Sequence, residues 1–222
     1  MTEWGKVLLD LLFPPKCMFC GKIMETSEYP ACDSCLLSDL PEAEEPLPEV
    51  QFFERCTAVF RYKEPVSDAI IRFKFQGMAS YADAFGGWLA ASVRDRLDGK
   101  YDLISWVPCS RRRVWTRGYD QAKLLAEAVG KELGMEPVQT LKKIRHNPKQ
   151  SRTADHARRR ANVLGVYEAV RPERFRGKRI LIIDDVLTTG ATLSECGKTL
   201  RIAGAEELVC AVVAVAHRDH KK

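Results

Sequence analysis

Two groups of residues have the types and the spacing to do chemistry. Cys17 and Cys20 form one C-x2-C pair and Cys32 and Cys35 a second, with eleven residues between the pairs. Each pair can fold as a tight knuckle presenting two thiolates, and two knuckles supply the four sulfurs of one tetrahedral zinc. Thiolate then fills every coordination position, so the expected zinc, one per chain, is structural. A single pair would leave redox chemistry open; two at this spacing point to metal. Cys56, Cys109, Cys196 and Cys210 stand singly and read as packing residues.

The second group lies in RILIIDDVLTTGATL, residues 179–193. An apolar run reads as a buried strand over 179–183, followed by Asp184 and Asp185, a loop over 186–192, and a helix over 192–202. In open α/β sheets ligands sit where a parallel strand opens onto a helix N-terminus. Gly190 allows a positive φ or a close backbone approach. The hydroxyls of Thr188, Thr189 and Thr192, the backbone N–H groups running through Ala191, and the positive end of the helix make a cup for a phosphate dianion. The two acids suit sugar hydroxyls rather than phosphate. The pattern therefore predicts one ligand with a phosphate at one end and a ribose beside it. A Walker A loop would need a glycine where Thr192 stands before Gly197-Lys198-Thr199, no G-x-G-x-x-G occurs, and a double-acid metal site would leave the TTGAT segment without a role.

These residues need a scaffold, and the periodicity supplies one. Strands are expected over 56–62, 101–107 and 208–215, and helices from Pro65 through SDAIIRFKF, over 81–97, and over 119–133 with Gly134 ending the last. The segment PCSRRRVWTRG is expected as a loop. Strands alternating with helices imply a mainly parallel sheet. Residues 143–162 lack an apolar face and read as a long loop, or a loop plus a polar helix, of the kind that covers active sites. Phe73, Lys74 and Phe75 alternate aromatic and basic residues. That suits contact with a base or nucleic acid, but a helix end packed on the sheet is the preferred reading. His146, His156, His217 and His220 show no ligand spacing.

Length and composition set the limits. A chain of 222 residues with 45% apolar content can bury one full core plus a small appendage. No apolar run approaches the ~20 residues of a membrane span, and the first fifteen residues read as an amphipathic helix stopped by Pro14 and Pro15 rather than a leader, so the expected location is cytoplasmic. Residues 25–49 carry eight acids and no base, whereas residues 142–179 carry thirteen bases against three acids. The basic block calls for an anionic partner. The acidic, proline-rich stretch over 40–50 reads as a linker or a pinned connection that divides a head, 1–50, from a body, 51–222.

The segment ILIIDDVLTTGAT resembles the signature by which type I phosphoribosyltransferases bind PRPP (5-phosphoribosyl-1-pyrophosphate). LLFPPKCMFCG, the second cysteine pair, FKFQG, VPCSRRRVWTRGYDQAKLLA and the basic stretch with Pro148-Lys149-Gln150 resemble the ComF/GntX family, from about Leu11 to the last strand. Two departures stand out: many relatives carry further cysteine pairs, and Tyr119-Asp120-Gln121 stands where they often have Phe-Asn-Gln. The resemblance implies an α/β type I phosphoribosyltransferase fold behind a small zinc-binding domain. It places the PRPP 5-phosphate in the cup from Thr188 to Thr192 and the ribose hydroxyls on Asp184 and Asp185, which would also stabilise a cationic sugar. It puts magnesium with the PRPP, and pyrophosphate on Ser110, Arg111 and Arg112. The basic segment with Arg145, Lys149 and Arg158 would close over it. Two functions follow from it: transfer of phosphoribose to a nitrogen acceptor, or non-enzymatic PRPP binding with single-stranded DNA handling in DNA uptake, alongside a competence helicase-type partner protein.

Overall fold

The computed structural model describes residues 14–25, 30–36, 40–144 and 165–216. In chain order it contains α1 (Asp33–Leu36), β1 (Arg55–Arg61), α2 (Val66–Phe75), α3 (Tyr81–Leu97), β2 (Leu103–Trp106), α4 (Arg111–Arg117), α5 (Gln121–Leu133), β3 (Leu141–Lys143) and β4 (Tyr167–Ala169). A 3-10 turn (Pro172–Arg174), β5 (Arg179–Leu187), α6 (Ala191–Ile202) and β6 (Glu207–Val215) complete it. The sheet has the order β1-β6-β5-β2, and every pairing in it is parallel. The predicted parallel α/β architecture is present: a type I phosphoribosyltransferase-like sheet with flanking helices.

Strand residues alternate between two apolar clusters. Leu181 and Ile183 of β5 pack with α2, α3 and α5, while Ile180 and Ile182 pack with α6 and the β3–β4 ribbon. β5 and β6 are apolar on both faces because both faces are covered. In α3, Tyr81, Phe85, Leu89, Val93 and Leu97 are buried at the spacing of one helical stripe. That stripe lies close to α5, because a Cβ on Gly86 would sit 2.3 Å from the Cβ of Ala128. α5 is capped by Asp120, whose carboxylate accepts from the Lys123 N–H, and ends at Gly134 with φ 68°.

Two expectations need correction, and one pairing is new. PCSRRRVWTRG is not all loop: Ser110 caps α4, which runs to Arg117 and ends at a left-handed Gly118. β5 does not stop at Ile183 but continues through both acids to Leu187. A local reading stops a strand where apolar residues stop; here continued pairing of Asp184 with Val212 and of Leu187 with Val215 carries it on. The antiparallel pair β3–β4, registered Leu141↔Ala169 and Lys143↔Tyr167, was not anticipated, since each strand is three residues long. It frames the ends of the basic segment, whose residues 145–164 lie outside the described residues, as do the amphipathic N-terminal residues 1–13.

The acidic connection is pinned. Ala43 N–H donates to Val59 O at 3.0 Å and Arg61 N–H to Pro41 O at 2.6 Å, so the segment covers the free edge of β1. Val50 then packs beneath the β5–α6 turn, 3.4 Å from where a Gly190 Cβ would stand.

Candidate functional site

The head is built around the cysteines. Gly21 N–H closes back on Cys17 O at 2.9 Å, making the first knuckle, and Cys35 N–H bonds Cys32 O at 2.9 Å at the start of α1. The four Sγ atoms lie within 4.8 Å of one another. Cys20 and Cys32 sulfurs are 3.7 Å apart, close to the edge of a tetrahedron with the ~2.3 Å arms of a zinc–thiolate site. The residues present therefore fit a metal ion such as zinc. Burial pushes the Cys17 thiol up, but hydrogen bonds at the backbone of Cys20, Cys32 and Phe19 outweigh it and hold the group at about 6. Burial and then the neighbouring sulfurs push Cys35 up to about 12. The head is not separate from the body: Phe19 stacks on Trp88 at 5.8 Å, and Arg72 of α2 donates to the carbonyls of Met18 and Phe19 at 3.0 and 2.6 Å.

The second site lies at the C-terminal ends of β2 and β5. The chain leaves β2 for α5 on one face and leaves β5 for α6 on the other, so the crevice between them is the switch point where open α/β sheets bind ligands. Gly190 holds φ 71° as the N-cap residue of α6 and, being glycine, offers that helix end no side chain of its own. Ala191 N–H turns back to Thr189 Oγ1 at 3.4 Å. Thr188 is exposed, while Thr189, Ala191 and Thr192 are half-buried around the turn. These residues form the turn that joins β5 to α6.

Asp184 and Asp185 face opposite ways. Asp184 Oδ1 accepts the Asp185 N–H at 2.8 Å. Burial, then the charge of Asp185, push the Asp184 carboxyl up to about 8 against that hydrogen bond and the pull of Lys74. Asp185 turns to α2 and pairs with Lys74 Nζ at 2.8 Å, with both side chains mostly buried. Burial pulls the Lys74 ammonium down, but the charge and hydrogen bond of Asp185 and the charge of Asp184 carry it above its usual value. The helix-end reading of 73–75 holds for Phe73, which is fully buried, and fails for Lys74, which reaches the acidic pair. On the other side, Lys143 of β3 donates to Tyr167 Oη at 3.2 Å. Burial and then Arg113 lower the Lys143 ammonium.

The post-β2 loop is fixed by Asp120 and Gln121. Asp120 Oδ2 accepts the Cys109 N–H at 2.8 Å, and burial raises this carboxyl despite that bond. Gln121 Oε1 accepts from Arg117 at 2.8 Å and from the Cys109 thiol at 3.5 Å. Burial, then Asp120, push that thiol up to about 12, in keeping with a packing cysteine. Ser110 is buried, its Oγ accepting the Arg113 N–H at 3.4 Å. Arg111 lines a groove of about 970 Å³ with Trp106, Trp115, Lys123 and Lys143, and Arg112 is exposed. Lys149, Arg145 and Arg158 lie outside the described residues. Lys74, Asp120, Gln121 and Lys143 do not stand out as site residues in the sequence. The alternation in FKFQG and the acid in Tyr119-Asp120-Gln121 are visible there, but not the direction in which they project.

A phosphoribosyl transferase domain model matches residues 117–222. Competence protein F of Haemophilus influenzae is 32% identical over 198 residues, covering 86% of this chain and 81% of that protein. The DNA utilization protein YhgH of Salmonella typhimurium is 28% identical over 217 residues, 88% of this chain and 94% of that one. Among solved structures, adenine phosphoribosyltransferase of Thermoanaerobacter pseudethanolicus is 16% identical, covers 64% of this chain and 84% of that one, and has a TM-score of 0.40, too loose a likeness to carry an argument. Among the described residues no helix is long and apolar enough to cross a membrane. The identity to competence protein F over most of both chains, together with the domain match, places this chain in the ComF family, with a phosphoribosyltransferase-type domain behind a four-cysteine head.

Proposed function

We propose that the chain binds PRPP with magnesium and transfers its phosphoribosyl group to a nitrogen acceptor, the head, residues 1–50, being held by one structural zinc. The observation that carries this reading is the glycine-opened start of α6 directly after two carboxylates at the switch crevice. In this reading the 5-phosphate takes the N–H groups and hydroxyls from Thr188 to Thr192. Asp184 and Asp185 accept the ribose hydroxyls, Asp184 giving up its proton as they bind, and the two carboxylates then favour the positive charge that develops on the sugar as pyrophosphate departs. Arg111, from the groove side, holds the leaving group as a bidentate donor, with Ser110 setting the start of α4 and Arg112 and Lys149 adding charge. Carboxylate oxygens suit magnesium, which when bound would neutralise pyrophosphate charge; since Asp185 is already paired, it would be held mainly through ligand oxygens. A pyrophosphate-release assay across nitrogen acceptors tests the transfer: magnesium-dependent release with at least one acceptor is expected, and none with any would leave a binding protein.

The relatives' names favour a second reading, PRPP binding without turnover in a cytoplasmic protein that handles single-stranded DNA during uptake, beside a helicase-type partner. The thirteen bases of residues 142–179 supply the charge. Backbone-driven binding falls steeply with salt. Neutralising Arg158, Arg159 and Arg160 together should flatten that slope in a filter-binding titration at two salt concentrations. If single strands are retained at neither salt, the DNA reading is wrong.

A further inference from the structure

Lys74 is a charged group at the acidic pair that the reading above leaves unused. It projects from the last turn of α2, and the turn carrying it is tied to the post-β2 loop rather than to the phosphate cup. Phe73 stacks on Tyr119 at 5.9 Å and its carbonyl accepts the Tyr119 hydroxyl. The Lys74 carbonyl accepts from Gln121 Nε2 at 3.4 Å. The guanidinium of Arg117 lies 4.6 Å above the Phe75 ring. Tyr119 and Gln121 flank Asp120, which holds the Cys109 N–H of the loop leaving β2. Three consecutive residues of α2 are thus anchored to the segment that continues from Ser110 and Arg111. The cup formed by Thr188 to Thr192 lies on the α6 side of β5, with Val50 and Leu187 beneath Gly190. Lys74 approaches from the opposite face, through Asp185.

We propose that Lys74 is an anion-binding residue for the pyrophosphate end of the ligand, its ammonium resting on Asp185 until that polyanion arrives. The proposal rests on the site being a PRPP site. A lysine suits this role because it carries three donors on a flexible four-carbon stem, so it can contact a phosphate oxygen while keeping or exchanging its bond to Asp185. The charge of Asp185 keeps the amine protonated in its buried position. The ribose hydroxyls on the acidic pair lie next to the carbon that bears pyrophosphate in PRPP, whereas the 5-phosphate is at the far end of the sugar. The order of groups along the ligand, 5-phosphate, ribose hydroxyls, pyrophosphate, therefore follows the order Thr188–Thr192 turn, acidic pair, Lys74.

The experiment is calorimetry with magnesium and three separate probes, PRPP, inorganic pyrophosphate and ribose 5-phosphate, on wild type, Lys74→Met and Lys74→Gln. Glutamine can still donate to Asp185 but has no charge, so it separates loss of the cation from loss of the Asp185 contact, and it stands in should the methionine variant not fold. Both variants are expected to weaken PRPP and pyrophosphate about tenfold, the scale of a charge-assisted hydrogen bond, and to leave ribose 5-phosphate within about twofold. An equal loss for all three probes in Lys74→Gln would mean that Lys74 serves the site as a whole, and no loss for any would mean that it touches no ligand; either result overturns the proposal. Wild type that binds pyrophosphate through Lys74 but neither sugar phosphate sinks the PRPP reading and keeps the anion site. Wild type that binds none of the three sinks both.

Discussion

Cys17→Ser is expected to strip the head of metal and to lower the melting temperature of the chain by about 6–12 °C. A structural zinc contributes its binding energy to folding, roughly 10–16 kcal/mol in zinc-finger peptides, so loss of one ligand costs at least about 3 kcal/mol. In a chain of this length each kcal/mol is worth about 2–4 °C. The loss should not stay in the head. Met18 and Phe19, inside the first knuckle, belong to the same apolar cluster as Phe60, Phe73 and Phe85, and their carbonyls hold Arg72, two residues from Lys74. Metal analysis of wild type purified without added metal should give one zinc per chain, and thermal melts of the variant should show one lowered transition. A wild-type head that is folded and metal-free would refute the zinc assignment. A variant whose head melts early while the body melts at the wild-type temperature would refute the coupling.

Asp185→Asn and Asp184→Asn should each weaken PRPP about tenfold to a hundredfold, since each removes hydrogen bonds to a charged acceptor worth roughly 1.5–3 kcal/mol. Their effects on folding should differ. Asp185→Asn leaves the mostly buried Lys74 ammonium without its counter-charge, so it destabilises. Asp184→Asn keeps an oxygen for the Asp185 N–H and removes a carboxyl that the fold prefers protonated. The folded chain holds that proton up to about pH 8, whereas an unfolded chain releases it near about 3.9. The stability contributed by this group is therefore whole below about pH 4 and is lost as pH rises through about 8. Asp184→Asn should flatten stability across that window and match or exceed wild type near pH 8. Binding of sugar hydroxyls to the ionised carboxylate expels the same proton, so wild-type PRPP affinity should climb over the same window and the variant's should not. Calorimetry with magnesium at several pH values reads both effects; wild type with no affinity for PRPP at any pH would remove the basis of the proposed function.

What the sequence determined by itself is what depends on neighbours in the chain. The two C-x2-C pairs, the strand-acid-loop-helix order of residues 179–202 and the stripe of α3 were legible because knuckles, turns and helical faces are set within a few residues. β5, β6 and their parallel pairing followed from apolar runs separated by helices. The tertiary structure decided which distant groups meet. Asp184 and Asp185 read as an equivalent pair in sequence, yet only Asp185 forms an ion pair with Lys74, while Asp184 accepts the Asp185 N–H. Lys74 could not be assigned from FKFQG, because an aromatic-basic alternation at a helix end says nothing about which far-off carboxylate the amine will reach. Three-residue strands such as β3 and β4 lack a period of their own and exist through each other, and the length of β5 came from its partner β6. The composition of the acidic stretch left a linker and a pinned connection open; backbone pairing along the edge of β1 and the packing of Val50 under Gly190 decide for the pinned one.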